Sequence, residues 1–306
     1  MGNFLKKLFF FLSPLIVLFI LIEYYCNNST TFSIKKRYFE NHRKDIETLF
    51  LGTSHMQNAI NPRFLKQNAA NVAFAGQPIE IDYALLQKYI NQMDNLKTVV
   101  FDVSPHIFYS RFDSSDWNGH IYANLYEIYY KVNPHSIKNH SYLLSNFKFF
   151  TSIYIDYVNP WAPKYEINKF GYISNDFYDR FLTLKNDSLK IDKTFIMMHT
   201  FDGKDMLEKN EKVLESAIRL CKNKAVKVLL VTPPFYHTYN DNVPAAAKKE
   251  VSDLVARIQK KFNVPYFDFS TSKNFNLKDF KNDSHLNPNG AKKFTVKVDS
   301  LINQLK

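Results

Sequence analysis

Apolar and polar positions divide the chain into three stretches. From Leu8 to Leu21 it reads LFFFLSPLIVLFIL, with Ile22 continuing and Phe4 and Leu5 upstream. That run approaches the roughly 20 residues a membrane-spanning helix needs. Lys6 and Lys7 flank its start, and Glu23, Tyr24 and Tyr25 follow it, the tyrosines suiting a membrane interface. Residues 27–44 are polar and charged and read as a stalk. Beyond them, short apolar runs alternate with stretches of helical period. The runs predict strands over 45–52, 71–74, 98–103, 227–232 and 264–269. The periodic stretches predict helices over 81–93, 205–223, 245–262 and 288–304, the last opening on Pro288.

Strands alternating with helices imply an α/β domain with a parallel sheet covered on both faces. Between about 105 and 201 the pattern loosens into a segment rich in Tyr, Asn, Phe, Ser and His, which reads as a long insertion. The expected organisation is an anchor over 1–26, a stalk over 27–44 and a domain over 45–306. Under the positive-inside rule the two lysines keep the short N-terminus in the cytoplasm, so the domain is expected outside it, periplasmic or at the cell surface. A cleaved signal peptide would need small residues after the apolar run, and YYCNNS offers a poor site. The same lack argues against lipidation of Cys26.

With 306 residues and 45% hydrophobic content the chain can bury a substantial core. The net charge of +11 is spread over short basic pairs, which suits solvated helix faces and a membrane surface better than nucleic acid. Two cysteines, Cys26 and Cys221, make neither a disulfide framework nor a metal site. Neither a cofactor nor a metal is expected.

In parallel sheets ligands bind beyond the carboxyl ends of the strands, and reactive residues stand there in this sequence. Gly52-Thr53-Ser54-His55 follows the first strand. Its serine hydroxyl can open a helix at the sheet edge, or simply cap one. Gly76 follows the second strand and can bring a backbone N–H close to a ligand, or only make a turn. Asp102-Val103-Ser104-Pro105-His106 follows the third. Asn282-Asp283-Ser284-His285-Leu286-Asn287 follows the last, where a neighbouring acid makes His285 a usable general base. The order Ser, Asp, His is a workable triad. The candidate catalytic residues are therefore Ser54, His285 and Asp283, with Ser54, Gly76, His55 and Ser104 as oxyanion or binding groups.

This combination resembles the SGNH/GDSL hydrolase superfamily over about 45–306, with the insertion unmatched. Gly52-Thr53-Ser54-His55 is similar to its nucleophile block, Gly76 to its second block and Asn282–Gly290 to its last. Val231-Thr232-Pro233-Pro234 also looks like its fourth strand. The resemblance implies a three-layer α/β/α flavodoxin-like fold and serine-nucleophile acyl chemistry. Two departures stand out. The family's third block offers Gly-x-Asn-Asp where this chain has Asp102-Val103-Ser104-Pro105-His106. The family's acid often lies three residues before the His, which is Asn282 here. Asp283 is the expected partner of His285, with Asn282 its rival.

The N-terminal anchor and the Ser-Pro at the third strand are similar to membrane-anchored teichoic-acid D-alanine-transfer proteins. The Asp-x-His spacing is similar to alginate O-acetylation proteins. These branches imply acyl transfer to an envelope polysaccharide or related polymer, beside a multi-pass membrane O-acyltransferase. An esterase of the same substrate and an inactive scaffold subunit are the alternatives. Trp117, Tyr122, Tyr126, Trp161 and Tyr172 could form a sugar platform, although packing of the insertion accounts for them more simply.

Overall fold

A computed structural model describes residues 2–111, 118–177, 179–193 and 199–305. The chain forms two compact units. One comprises Met1–Ile34 with Ser114–Lys164, and the other Lys35–Asp113 with Tyr165–Lys306.

Among the described residues, the first unit carries one helix long and apolar enough to cross a membrane, Gly2–Ser29, with a mean hydropathy of 2.3 over its most apolar window. At 28 residues it is about 42 Å long. Its apolar side chains from Phe4 to Leu21 lie exposed, and burial begins at Ile22 and Cys26. The helix runs on past the apolar stretch because Glu23 and Tyr25 are held. The Glu23 carboxylate accepts from Ser141 Oγ at 2.5 Å, Leu143 N at 2.9 Å and Tyr142 N at 3.2 Å. It thereby satisfies N–H groups that open the helix Tyr142–Ser145. Tyr25 stacks on Tyr157 of the helix Phe147–Val158, with ring centroids 4.3 Å apart.

The second unit is a doubly wound α/β sheet. Five strands, β1 (Thr48–Leu51), β2 (Ala69–Asn71), β3 (Thr98–Asp102), β4 (Lys227–Thr232) and β5 (Tyr266–Asp268), pair in the order β2-β1-β3-β4-β5. All pairings are parallel. The strands are short, apolar and almost wholly buried, as a sheet covered on both faces requires. Phe50, Val100, Leu229 and Val231 share a core with Phe294, Val298 and Ile302 of the closing helix Pro288–Gln304. By alternation Leu49, Val99, Phe101 and Leu230 face the opposite side. Helices Ile79–Tyr89, Lys204–Asn223 and Ala245–Phe262 pack against one another in sequence.

The elements fall close to the positions the pattern predicts, and the shifts have local causes. β2 ends at Asn71 as a regular strand, although Val72 N and Phe74 N go on donating to Phe50 O and Gly52 O, and the Asn71 side chain donates to Ile60 O at 2.9 Å and Met56 O at 3.1 Å. The helix between β2 and β3 starts at Ile79, two residues early, where Pro78 stands at its cap. The residues read as a stalk include the helix Thr31–His42.

Order reverses between β1 and β3, since chain and sheet run one way to β2 and the other to β5. That switch leaves a crevice at the strands' carboxyl ends, where ligands bind in such sheets. After β5 the chain forms a two-stranded antiparallel hairpin, β6 (Phe280–Asn282) and β7 (His285–Leu286).

Candidate active site

Ser54 stands where β1 ends. Gly52 has φ +140°, and a Cβ there would lie 2.5 Å from Asp102 Cβ on the neighbouring strand. Only glycine permits that approach. Thr53 then caps the helix Ser54–Ala59, which makes Ser54 its first residue.

His285 reaches the serine from the hairpin. Its Nε2 lies 2.8 Å from Ser54 Oγ. Its Nδ1 lies 3.0 Å from Asn282 Oδ1 and 3.0 Å from Ser284 Oγ. A proton on Nδ1 donated to Asn282 leaves Nε2 bare toward the serine hydroxyl, the tautomer a general base needs. Burial, followed by the Lys281 charge and His199, pushes the His285 pKa well below its usual range, so the ring is neutral at neutral pH and its Nε2 lone pair is open to the serine proton.

Asn282, not Asp283, is the side chain set against Nδ1. Asn282 and His285 are register partners across the hairpin, while Asp283 lies in the turn between them. Asp283 Oδ2 lies 3.8 Å from Arg180 Nη1 instead. Three consecutive hairpin residues are tied to one stretch of the insertion. Lys281 Nζ meets Asp176 at 2.7 Å, Asn282 Nδ2 donates to Asp179 Oδ2 at 2.9 Å, and Asp283 faces Arg180. Asp179 is itself fixed as the cap of helix Arg180–Thr183. The Asp179 carboxylate thus orients the Asn282 amide, which orients the imidazole.

The other expected groups are also placed. Gly76 lies exposed in the turn after β2 with φ +69°. Ser104 is fully buried, and its hydroxyl and backbone N–H both donate to Asp102 Oδ1. Burial pushes Asp102 up to about 6, against the pull of those bonds. His55 turns inward from the helix Ser54–Ala59 and is 1% exposed. Among the proposed platform rings, Tyr122, Tyr126 and Tyr172 are buried, so packing accounts for them. Trp161 is 91% exposed, and Trp117 lies outside the described residues.

The sequence reading did not foresee that His55 joins His106 and His199. Ligand-capable nitrogens of the three lie within 4.8 Å of one another. His55 meets His285 edge to face, ring centroids 4.9 Å apart. His106 had a signal in the Ser-Pro-His at the end of β3. His199 had none, since it sits in the insertion.

No family model matches the chain, and no curated protein does. Among solved structures it is similar to a GDSL-like lipase from Bacteroides thetaiotaomicron VPI-5482, at 11% identity and a TM-score of 0.40, over 89% of this chain and 97% of that one. A candidate acylhydrolase from Bacteroides fragilis NCTC 9343 aligns at 13% identity and 0.40, over 89% and 97%. A candidate lipolytic protein of the G-D-S-L family from Desulfitobacterium hafniense DCB-2 aligns at 9% and 0.39, over 83% and 99%.

Proposed function

We propose that the chain is a membrane-anchored serine enzyme of the SGNH/GDSL kind that transfers an acyl group to a cell-envelope polysaccharide or related polymer. One observation carries the acyl chemistry: the Ser54 Oγ to His285 Nε2 contact of 2.8 Å, with Nδ1 held by Asn282. Ser54 Oγ attacks the carbonyl carbon of an acyl donor while its proton passes to His285 Nε2. The backbone N–H groups of Ser54 and Gly76 serve the tetrahedral oxyanion. His285 returns the proton to the leaving group, and Ser54 holds the acyl group as an ester. An acceptor hydroxyl then gives its proton to His285 and attacks that ester, and Ser54 recovers its proton. Asn282 plays the orienting part, with Asp179 behind it, as amide partners do in Cys-His-Asn sites.

The anchor reading is supported by Glu23 and Tyr25. Cleavage of the apolar segment as a signal peptide would endanger contacts that organise Ser141–Leu143 and Tyr157. Lys6 and Lys7 favour a cytoplasmic tip and an extracytoplasmic catalytic unit. Outside the cytoplasm a multi-pass membrane O-acyltransferase is the partner suited to deliver the acyl group.

The test is a fluorophosphonate probe on the full chain in detergent, with Ser54→Ala as control. Labelling of the native chain alone supports the serine enzyme; labelling of neither favours the scaffold. Acylation of the envelope polymer in cells carrying Ser54→Ala then separates transfer, where it falls, from hydrolysis, where it rises.

A further inference from the structure

Beside the serine, buried imidazole nitrogens stand without partners. His55 is 1% exposed, and neither ring nitrogen has a hydrogen-bond partner among the described residues. His106 is 6% exposed and its Nδ1 is equally unpartnered. Buried polar atoms are nearly always satisfied, and three orphans in one place call for a ligand.

The surrounding bonds settle which nitrogens remain free. Thr53 Oγ1 donates to Asp102 Oδ2 at 3.3 Å, so its lone pairs face His106 Nε2 at 3.2 Å. His106 then carries its proton on Nε2 and presents the bare Nδ1. His199 Nδ1 lies 2.9 Å from the Tyr239 hydroxyl, which leaves Nε2 available. His106 and His199 are thus oriented as metal-binding histidines are, through the nitrogen that does not bind. Burial, then the neighbouring imidazoles, pushes His55 and His106 well down, and burial alone takes His199 down to about 4. All three lone pairs are therefore available at neutral pH. A cleft of about 460 Å³ lined by His106, Arg111, His199 and Thr200 opens beside two of the three rings.

We propose that His55, His106 and His199 bind one divalent transition-metal ion of the zinc class. Three imidazoles without thiolate suit that class. Bonds of about 2.0–2.1 Å need nitrogens roughly 3.4 Å apart, so on binding the rings close in from separations of up to 4.8 Å and His106 and His199 turn out of their stack. Three protein ligands leave a fourth position open. The ion would sit against the His55 ring, whose centroid lies 4.9 Å from that of His285. Binding itself does not depend on the acyl-transfer reading, since the site and Ser54 reactivity are measured separately.

The test uses the full, untagged chain in detergent, stripped with a chelator and titrated with Zn²⁺ by calorimetry. Co²⁺ is then added as an absorbance probe. One equivalent of Zn²⁺ at micromolar affinity or tighter is expected, with the strong d–d bands of low-coordinate Co²⁺. His199→Ala, at the half-buried ligand, and His106→Gln should each weaken Zn²⁺ binding at least tenfold. Zn²⁺ should raise the Tm of the native chain and leave that of either variant unmoved, and metal-free melting confirms that the variants fold. No saturable binding to the native chain overturns the proposal. So does affinity unchanged in a folded variant.

Discussion

Asn282→Asp tests whether the amide is the working partner of His285. Its Nδ2 donates to Asp179 Oδ2 at 2.9 Å and its Oδ1 faces His285 Nδ1 at 3.0 Å. An aspartate keeps the second contact and turns the first into two facing carboxylates. Two charges about 3 Å apart repel by roughly 5 kcal/mol at an effective dielectric near 20. Solvent lowers that figure because Asp179 is half-buried. Even a residual of about 2 kcal/mol corresponds to a rate factor of roughly 30. The pair escapes by taking up a proton or swinging apart, and either loosens the imidazole. The rate constant for fluorophosphonate labelling of Ser54 should fall at least tenfold. Adding Asp179→Asn to the same chain reverses the polarity of the bond, amide now donating to the new carboxylate, and should restore most of the rate. Asp179→Asn alone removes a charge but keeps the shape, and should cost only a few-fold. Native-like labelling of Asn282→Asp, or a double variant no faster than the single one, would refute the Asp179–Asn282–His285 chain.

Gly52→Ala should destabilise the catalytic unit by about 2–4 kcal/mol, because the new Cβ meets Asp102 Cβ at 2.5 Å on a backbone at φ +140°. Thermal unfolding checks this, and a native-like Tm would show that the strand ends can part. Lys35 is buried with Nζ donating to Ala73 O at 2.9 Å, and burial pushes its pKa down to about 7 from 10.5. The unfolded chain therefore holds a proton that the folded chain lacks between those values. Stability should rise with pH across that window, by at most about 5 kcal/mol, and be level below it. Subtracting the profile of Lys35→Met should isolate this slope; parallel profiles would mean Lys35 stays charged. The intact mass of chain purified from membranes should include Met1 or Gly2, and a mass beginning beyond Glu23 would overturn the anchor.

The sheet was legible because its strands are apolar runs stopped by turn residues, as where Ser104-Pro105 follows β3 and Pro233-Pro234 follows β4. Ser54 and His285 were legible for a related reason: a parallel sheet brings residues that follow separate strands to one edge. The choice between Asn282 and Asp283 was not. Adjacent residues differ there in which side of a hairpin they face, and the irregularity at Phe280/Asn282 sets that register. Sequence spacing carries no record of it.

The histidine cluster shows a different limit. His55 follows Ser54 directly and His106 lies beyond the end of β3, so along the sequence nothing links them. Because β1 and β3 are neighbours across the switch point, their following residues meet, with the two ring centroids 4.3 Å apart. The end of β3 thereby sets a second imidazole against the one beside Ser54. His199, stacked on His106 at 4.1 Å, completes the group from a part of the chain that has no pattern to read. Asn282 fits the same arrangement: a neutral amide orients His285 Nδ1 without adding an anion that would compete for a cation held by the three imidazoles.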